Sequence, residues 1–463
     1  MASTYLSRTL VTPTSTTQYT FSAWVKRTTT VGSSSLNEVI FSNWSSTSNV
    51  GYIRFEDQTD TLHIYDNYGG TQKLNYRTTA SYRDTNAWYH IVVNADTSRS
   101  SGDRCRLYVN GEQVSLTKVS DSTGTLGMLS ANSTNGMRLG AINNTGGTEY
   151  YLGGLMSHVH FIDGGIYEAS DFGEYDANGV WKIKTSPSVT YGTNGFFILK
   201  DGNSVTDQSG NGNNFTVGGG TLTNTEDNPS NVFATLNPLA TSSYGTLQNG
   251  NTVAQGNTNV DYGHTFSTLS TGSSGKYYWE VYIENYTGTS PFLGIGNDDN
   301  PNIGRAINNT AAVSTGGSNY VSPSFHIQNN GQINIAGSVT ATYDSYTKGD
   351  WISFAVDMDN GACYLAKNGT WMNSGVPTSG ASKTGAITTW TAGSISGFLA
   401  YAAVYFGAGG VGSNSEAAFN FGNGYYGSAA VASAGTNASG NGIFEYDVPT
   451  GYTALCTKGL NGE

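Results

Sequence analysis

The fold is decided by Trp88-Tyr-His-Ile-Val-Val-Asn-Ala-Asp96, which is followed, after a polar turn, by Cys105-Arg-Leu-Tyr-Val-Asn-Gly111. The chain repeats this pattern in its second half. There it reads Trp351-Ile-Ser-Phe-Ala-Val-Asp-Met-Asp359 and, after a shorter turn, Cys363-Tyr-Leu-Ala-Lys-Asn-Gly369. Tryptophan, cysteine and the closing Asn-Gly stand at matching places, so the two segments are copies of one design.

Apolar residues occupy every second position in both copies. Ile91 and Val93 of the first copy correspond to Phe354 and Val356 of the second. Because side chains alternate across a strand, this period of two predicts half-buried β-strands. Asn-Gly favours a tight hairpin turn. Each copy therefore predicts three consecutive antiparallel strands, and the whole chain predicts an all-β protein of two tandem antiparallel β-sandwiches.

The composition suits two folded domains. The chain has 463 residues, 61 of them glycine, with 37% hydrophobic, 12% aromatic and only 12% charged residues. This balance is typical of turn-rich globular proteins rather than of disordered ones. The net charge of -12 and the lack of a basic run exclude nucleic acid as an expected partner. The most apolar stretch, 398–411, is broken by glycines and too short to predict membrane insertion.

The three cysteines, Cys105, Cys363 and Cys456, are too few for a disulfide framework, and we expect small buried thiols. The segment Met1–Arg8 lacks the apolar run of a secretory signal, from which we expect a protein without an export signal. Turn clusters and changes in composition divide the chain into a first sandwich at 1–217, an extended connector at 218–256 and a second sandwich at 257–463.

Both halves resemble known families. Tyr19–Lys26, Trp88–Asp96 and Leu155–Asp163 are similar to the laminin-G-like domains of the concanavalin-A-like lectin fold. In the second half, Gly275-Lys-Tyr-Tyr-Trp-Glu-Val and Phe419-Asn-Phe-Gly422, together with the repeated strands, resemble the SPRY domain. These resemblances imply concanavalin-A-like jelly rolls and a recognition function.

The tandem arrangement, with Phe172-Gly-Glu-Tyr-Asp-Ala-Asn-Gly-Val-Trp181, resembles surface proteins of marine tailed bacteriophages. This resemblance implies a virion component, either a fibre or a capsid-surface decoration protein, made in the host cytoplasm. It also implies other virion proteins and a host-cell glycan as partners. We expect a homo-oligomer, and the resemblance to fibre proteins favours a trimer.

The sharpest candidate for chemistry is the strand Tyr278-Trp-Glu-Val-Tyr-Ile-Glu284. Alternation places Tyr278, Glu280, Tyr282 and Glu284 on one face. Concanavalin-A-like glycoside hydrolases carry a similar Glu-x-Asp-x-Glu strand, but tyrosine replaces the aspartate here. The Cα atoms of the two glutamates are about 13 Å apart along a strand, whereas a retaining pair needs carboxyls about 5 Å apart. We therefore expect no catalysis. The alternative hypothesis is a glycoside hydrolase-type depolymerase that uses Glu280 and Glu284.

The same four side chains are the predicted glycan-binding residues. Aromatic rings suit the apolar face of a sugar, and fixed polar groups suit its hydroxyls. The competing interpretation is the polar outer face of an ordinary strand.

Asp298, Asp299 and Asn300 form the candidate calcium site, since they gather oxygen ligands after a predicted strand. Their spacing also suits an ordinary turn. No organic cofactor is expected, and calcium is the one cofactor that the sequence leaves open.

The leading hypothesis is a non-enzymatic virion protein with lectin-like domains that attach to a host-surface glycan. A second hypothesis is a purely structural or assembly protein whose sandwiches contact other virion subunits.

Overall fold

The structure is a computed structural model in which the chain divides into two compact units, 1–224 and 225–463. It describes residues 3–29, 37–131, 136–200, 202, 204–242, 244–256, 262–285, 291–298, 323–335, 338–405 and 415–462. Nearly all of the regular structure in these residues is antiparallel strand. The prediction of an all-β fold with two sandwiches is confirmed.

Unit 1 consists of short to medium strands, one short α-helix and one 3-10 turn at Gly127–Leu129. In chain order its elements are β1 (Tyr5–Arg8), β2 (Gln18–Arg27), β3 (Glu38–Ser46), β4 (Asn49–Phe55), β5 (Thr61–Tyr68), β6 (Thr71–Ser81), β7 (Trp88–Asp96), β8 (Cys105–Val109), β9 (Glu112–Gln113), β10 (Leu116–Asp121), β11 (Met137–Leu139), β12 (Ile142–Asn144), β13 (Gly147–Glu149), β14 (Gly154–Asp163), α1 (Ala169–Phe172), β15 (Gly173–Tyr175), β16 (Trp181–Ile183), β17 (Phe196–Ile198) and β18 (Thr216–Gly218).

Two sheets enclose the core of unit 1. One has the strand order β10-β6-β5-β4-β3-β11-β1-β18, and the other has the order β17-β14-β2-β7-β8-β9. Their inner faces meet where the rings of Phe21 and Phe41 stack at 4.7 Å between centroids. Ile91 and Val93, the apolar positions of the repeat, are fully buried in the same core.

Unit 2 is built in the same way, with 3-10 turns at Pro238–Ala240, Met372–Ser374 and Pro377–Ser382. Its elements are β19 (Gly245–Gln248), β20 (Val253–Gly256), β21 (Tyr262–Ser270), β22 (Lys276–Asn285), β23 (Phe292–Asn297), β24 (Phe325–Ile327), β25 (Gln332–Ile335), β26 (Ser338–Thr342), β27 (Trp351–Asp357), β28 (Ala362–Lys367), β29 (Thr370–Trp371), β30 (Thr388–Thr389), β31 (Phe398–Tyr405), β32 (Glu416–Asn420), β33 (Tyr425–Tyr426), β34 (Ala429–Ala430), β35 (Thr453–Ala454) and α2 (Thr457–Asn461).

The first sheet of unit 2 has the order β19-β20-β32-β22-β27-β28-β29, with β30 on β28 and β35 parallel to β22. The second has the order β21-β31-β23-β24-β25-β26. Trp279 and Phe354 stack in the core between them, with ring centroids 5.3 Å apart. A smaller apolar cluster lies on the other side of the first sheet and includes Tyr278, Phe444 and Tyr452.

The structure divides the chain differently from the predicted connector at 218–256. Unit 1 continues to Asn224, and β18 pairs with β1. From Thr225 onward the chain belongs to unit 2, where Phe233 is buried and β20 pairs with β32. The glycine- and threonine-rich composition of 218–256 predicts an extended connector, but in the structure this segment supplies edge strands and core residues.

The repeated hairpins differ in register by two residues. In unit 1, Val93 lies opposite Leu107, whereas its counterpart Val356 lies opposite Cys363. Because side chains alternate with a period of two, this offset keeps every apolar residue on the core side. The shorter turn of the second copy is thereby accommodated without a change of face.

The Asn-Gly turns are as predicted. Asn110 and Asn368 have φ of 50° and 48°, and the glycine that follows each also has positive φ. Each asparagine side chain accepts a 2.8 Å hydrogen bond from a backbone N–H across the hairpin. All three cysteines are free and buried, as expected. Among the described residues, neither helix has the length and apolar run needed to cross a bilayer.

Candidate functional site

The predicted glycan residues of unit 2 do not share an exposed face. Tyr278 and Glu280 are 1% and 0% exposed, because the C-terminal segment lies over them. Phe444 packs edge-on against Tyr278, with ring centroids 5.0 Å apart. This placement corrects the expectation of an outer strand face, since neither side chain offers surface to a ligand.

Glu280 holds the C-terminal segment in place. Its carboxylate accepts hydrogen bonds from the backbone N–H groups of Glu445 and Tyr446, at 2.8 and 2.9 Å. The hydroxyl of Tyr278 donates a third, at 2.8 Å. Burial raises the pKa of Glu280 to about 7, against these hydrogen bonds, which favour the ionised form. The carboxyl of Glu280 is thus inside unit 2, where it binds the C-terminal segment and has no exposed surface.

Tyr282 and Glu284, the other two predicted residues, are half-buried. Tyr282 packs against Trp351 and Tyr426, at 5.1 and 4.9 Å between ring centroids. Glu284 keeps one carboxyl oxygen buried without a hydrogen-bond partner, and burial raises its pKa. These two residues remain at the surface, but most of the ring of Tyr282 is used in packing.

Of the predicted calcium ligands, Asp298 follows β23 and accepts a hydrogen bond from Ser270. Asp299 and Asn300 lie outside the described residues. Within the described ranges, no group of three or more acidic, histidine or cysteine side chains is arranged to hold a metal ion. The calcium site therefore stays a prediction.

Unit 1 carries a surface that combines aromatic and charged groups. It lies on the side of β4, β5 and β6 that faces away from the core, opposite Ile53, Phe55 and Ile64, which are buried. We call it the aromatic face, and its members are Tyr52, Arg54, Glu56, His63, Tyr65, Asn67 and Arg77. Strand alternation places them together, because Tyr52 pairs with Tyr65 and Arg54 pairs with His63 across β4 and β5.

Two half-buried tyrosines form the centre of the aromatic face, and both also pack against the apolar cluster that contains Val39, Val50 and Ile142. The rings of Tyr52 and Tyr65 stack at 5.0 Å between centroids with 17° between their planes. The guanidinium of Arg54 lies over the ring of Tyr52, at 4.6 Å from its centroid. Burial raises the pKa of Tyr52 to about 12, so its hydroxyl is neutral and can donate.

Glu56 organises the charges beside these rings. Arg77 binds its carboxylate in bidentate fashion, at 2.6 and 2.9 Å, and Arg54 approaches it at 3.5 Å. Burial works against ionisation of Glu56, but the hydrogen bond and charge of Arg77 hold its pKa below its ordinary value. Burial and the two arginines lower the pKa of His63 to about 4, so this imidazole is neutral at pH 7. The face thus carries two cations and one anion.

Several polar atoms of the aromatic face have no hydrogen-bond partner among the described residues. They are Nε of Arg54, Nδ1 of His63 and Oδ1 of Asn67, all of them buried, although Nδ1 of His63 lies 3.5 Å from a carboxyl oxygen of Glu56. Unpaired buried polar atoms are uncommon in folded proteins and call for an explanation. These atoms are buried and do not meet solvent, so the surface of the face is formed by the partly exposed rings and the charged groups beside them.

None of the residues of the aromatic face is among the site residues predicted from the sequence. Its signal is present in Tyr52-Ile-Arg54-Phe-Glu56 and His63-Ile-Tyr65-Asp-Asn67, in which aromatic and polar residues alternate with apolar ones. Two consecutive strands with this alternation predict one sheet face that carries both aromatic and polar side chains. The pairing of Tyr52 with Tyr65, however, follows from the register, which the sequence does not show.

Comparisons with known proteins agree with the two-unit architecture. Residues 2–166 match the family model Laminin_G_3, described as the concanavalin A-like lectin/glucanases superfamily. Residues 276–422 match the model of the SPRY domain. No curated protein sequence matches the chain.

Solved structures similar to parts of the chain include three of distinct kinds. The SPRY domain of human HERC1 is 16% identical, covers 40% of this chain and 96% of its own, and gives a TM-score of 0.29. A putative carbohydrate binding protein from Bacteroides ovatus is 21% identical, with coverages of 48% and 58% and a TM-score of 0.34. Domains LG4-5 of the mouse laminin alpha1 chain are 11% identical, with coverages of 86% and 78% and a TM-score of 0.28.

At these identities and TM-scores, the solved structures say nothing about the ligand of this chain. The family models, by contrast, cover the strands that carry both repeated hairpins. The chain therefore contains a concanavalin A-like domain in unit 1 and a SPRY domain in unit 2.

Proposed function

We propose that the chain is a non-enzymatic carbohydrate-binding protein and that the aromatic face of unit 1 contacts the glycan. The observation that carries this proposal is the stacked, half-buried pair Tyr52 and Tyr65, bordered by Arg54, Arg77 and Glu56. The ring of a bound pyranose would lie on the tyrosines, with its apolar C–H face against them.

Polar groups at the edge of the rings complete the recognition. Glycan hydroxyls both donate and accept, so they match a surface that carries arginine N–H groups and a carboxylate. The match with the concanavalin A-like family model supports this assignment, because that superfamily is described as one of lectins and glucanases.

A glycan array with the purified full chain tests the proposal. We expect binding that Tyr65→Ala weakens by about fivefold to thirtyfold, because loss of one stacking ring costs about 1–2 kcal/mol. Tyr175→Ala is the matched control, since Tyr175 is a 50% exposed tyrosine elsewhere in unit 1. Equal binding by both variants, or no bound glycan at all, would contradict the proposal.

The non-enzymatic part of the proposal is supported by the position of Glu280. The one carboxylate pair that resembles a hydrolase pair has a member locked beneath the C-terminal segment. Incubation of the chain with the glycans that it binds should release no shorter products. Product release that persists in Glu284→Gln would show catalysis from another site.

We also propose that this binding protein belongs to a bacteriophage virion, as a homo-oligomeric fibre or capsid-surface protein that contacts other virion proteins. The tandem order of its two domains supports this, through the resemblance noted for the sequence. Mass spectrometry of purified particles from a phage that encodes the chain should detect it, and particles lacking it should adsorb poorly to the host. Its absence from such particles would refute the virion assignment.

A further inference from the structure

A polar cleft at one edge of unit 1 contains two arginines that form no salt bridge with a described residue. The cleft has a volume of about 520 Å³. It is lined by Ser7, Arg8, Thr9, Gly136, Arg138, Gly212, Asn213, Asn214 and Thr216. This lining contains no acidic side chain. We call it the arginine cleft.

The two arginines differ from the other arginines of the chain. Nine of the ten lie in the described residues, Arg305 being the exception. Seven of the nine form salt bridges, namely Arg27, Arg54, Arg77, Arg83, Arg99, Arg104 and Arg106. The remaining two, Arg8 and Arg138, form none with a described residue, and both line the same cleft.

Arg8 is held by neutral partners. It donates to the backbone oxygen of Asn194 at 2.9 Å and to Oδ1 of Asn213 at 2.5 Å. The nearby carboxylates of Asp163 and Asp207 accept instead from backbone N–H groups, among them those of Thr14 and Phe197. Burial lowers the pKa of Arg8 despite these two charges.

Arg138 is more deeply placed and is also incompletely satisfied. It is 9% exposed, its guanidinium lies over the ring of Tyr5 at 4.5 Å, and it donates to the hydroxyl of Thr148. Its Nε atom is buried without a hydrogen-bond partner. Burial lowers its pKa too. A buried guanidinium is costly unless it is paired, and no described partner supplies the opposite charge.

We propose that the arginine cleft is a binding site for an oxyanion, a carboxylate or a sulfate group carried by an acidic glycan. Guanidinium groups bind such anions through charge-assisted, often bidentate hydrogen bonds. Each arginine uses only part of its five N–H donors on the protein. The carboxamides of Asn213 and Asn214 and the hydroxyl of Ser7 add neutral groups to the lining. The glycan part of this inference rests on the proposed function, whereas the oxyanion site does not.

Titration of the full chain with sodium sulfate, sodium glucuronate and glucose, followed by calorimetry at constant ionic strength, tests the site. We expect the two anions to bind and glucose not to bind at this site. Arg8→Gln and Arg138→Gln should each weaken binding of the anions by about tenfold. Arg83→Gln is the matched control, because it removes the same charge from an exposed side chain paired with Asp60.

A second variant keeps the test decisive where Arg8→Gln or Arg138→Gln disturbs folding. Thr216 is exposed, and its strand lies beside Ser7, which lies opposite Arg138. Thr216→Asp retains both arginines and places a carboxylate in the lining, so it should abolish sulfate binding without loss of stability.

Binding of only one of the two anions would identify which group the cleft takes. Sulfate binding that Thr216→Asp and Arg138→Gln leave unchanged would overturn the proposal, as would equal binding of glucose and glucuronate. Because free sulfate involves no glycan, the two proposals can fail separately. Sulfate binding without any bound glycan would refute the aromatic face alone, whereas glycan binding that Tyr65→Ala weakens, without sulfate binding, would refute the cleft alone.

Discussion

Replacement of Glu280 should loosen the C-terminal segment of unit 2 rather than affect any ligand. The segment meets this carboxylate through the backbone N–H groups of Glu445 and Tyr446. In Glu280→Gln, the carboxamide oxygen can keep the position that accepts from Tyr446 and Tyr278, but the NH2 group then faces the N–H of Glu445. The N–H of Glu445 thus loses its acceptor and faces a second donor group.

The magnitude follows from the count of hydrogen bonds. A buried donor left without an acceptor costs about 1–3 kcal/mol, so Glu280→Gln should lower the free energy of unfolding of unit 2 by about 2 kcal/mol. Glu280→Ala loses all three bonds. Removal of a buried charge offsets part of that loss, so we expect the free energy of unfolding of unit 2 to fall by about 3–4 kcal/mol.

Urea unfolding gives the free energy, and hydrogen exchange followed by mass spectrometry locates the change. Peptides that contain 436–456 should exchange faster in both variants, with β27 and β28 unaffected. Glu284→Gln is the matched control on the same strand, since one of its carboxyl oxygens already lacks a partner. The reasoning would be refuted if Glu280→Gln were no less stable than Glu284→Gln and exchanged at the same rate.

Three further predictions concern unit 1 and the repeated turns. Arg27→Met should destabilise unit 1 by about 3–5 kcal/mol in urea unfolding, because it removes the guanidinium that bridges the buried carboxylates of Glu38 and Asp60 at 2.6 and 2.7 Å and leaves Asp60 with only the exposed Arg83. A loss under about 1 kcal/mol would contradict this. His90 accepts at Nδ1 from the indole N–H of Trp181, and burial lowers its pKa to about 3. Because the pKa of His90 is lower in the folded state than in the unfolded state, unit 1 loses stability as the pH falls below about 6.5, and the loss is about 2 kcal/mol at pH 5. The free energy of unfolding at pH 7.5 should therefore exceed that at pH 5, and His90→Gln should reduce this difference by about 2 kcal/mol. Asn110→Ala and Asn368→Ala should each cost about 1–2 kcal/mol in thermal unfolding of their own unit, since alanine disfavours their positive φ and cannot accept the cross-hairpin bond; unequal losses would show that the turns are not equivalent.

The fold could be predicted because the period of two is a local property. Tyr277, Trp279, Val281 and Ile283 alternate in the sequence, and all four are in the core of unit 2. The Asn-Gly turns likewise need only their own two residues. Alternation along a strand shows which side chains share a face of the sheet, and it needs only the residues of that strand.

The candidate site could not be predicted in the same way, because exposure depends on segments distant in sequence. Glu280 lies on the side away from the core, as expected, but residues 444–446 cover it from more than 160 positions along the chain. The aromatic face depends on the pairing of Tyr52 with Tyr65, which belong to different strands. Neither the segment that covers Glu280 nor the register of β4 and β5 produces a periodic pattern in the sequence.

The two-residue offset between the repeated hairpins has a consequence for engineering and for divergence of this scaffold. The segments between the matching aspartate and cysteine positions of the two copies differ by five residues, 97–104 against 360–362, and both copies still keep their apolar residues in the core. The pairing of the strands, and not the length of the loop, therefore sets which face a side chain takes. Grafted recognition loops of odd or even length should be tolerated here, whereas a one-residue slip in strand pairing would turn the apolar residues outwards.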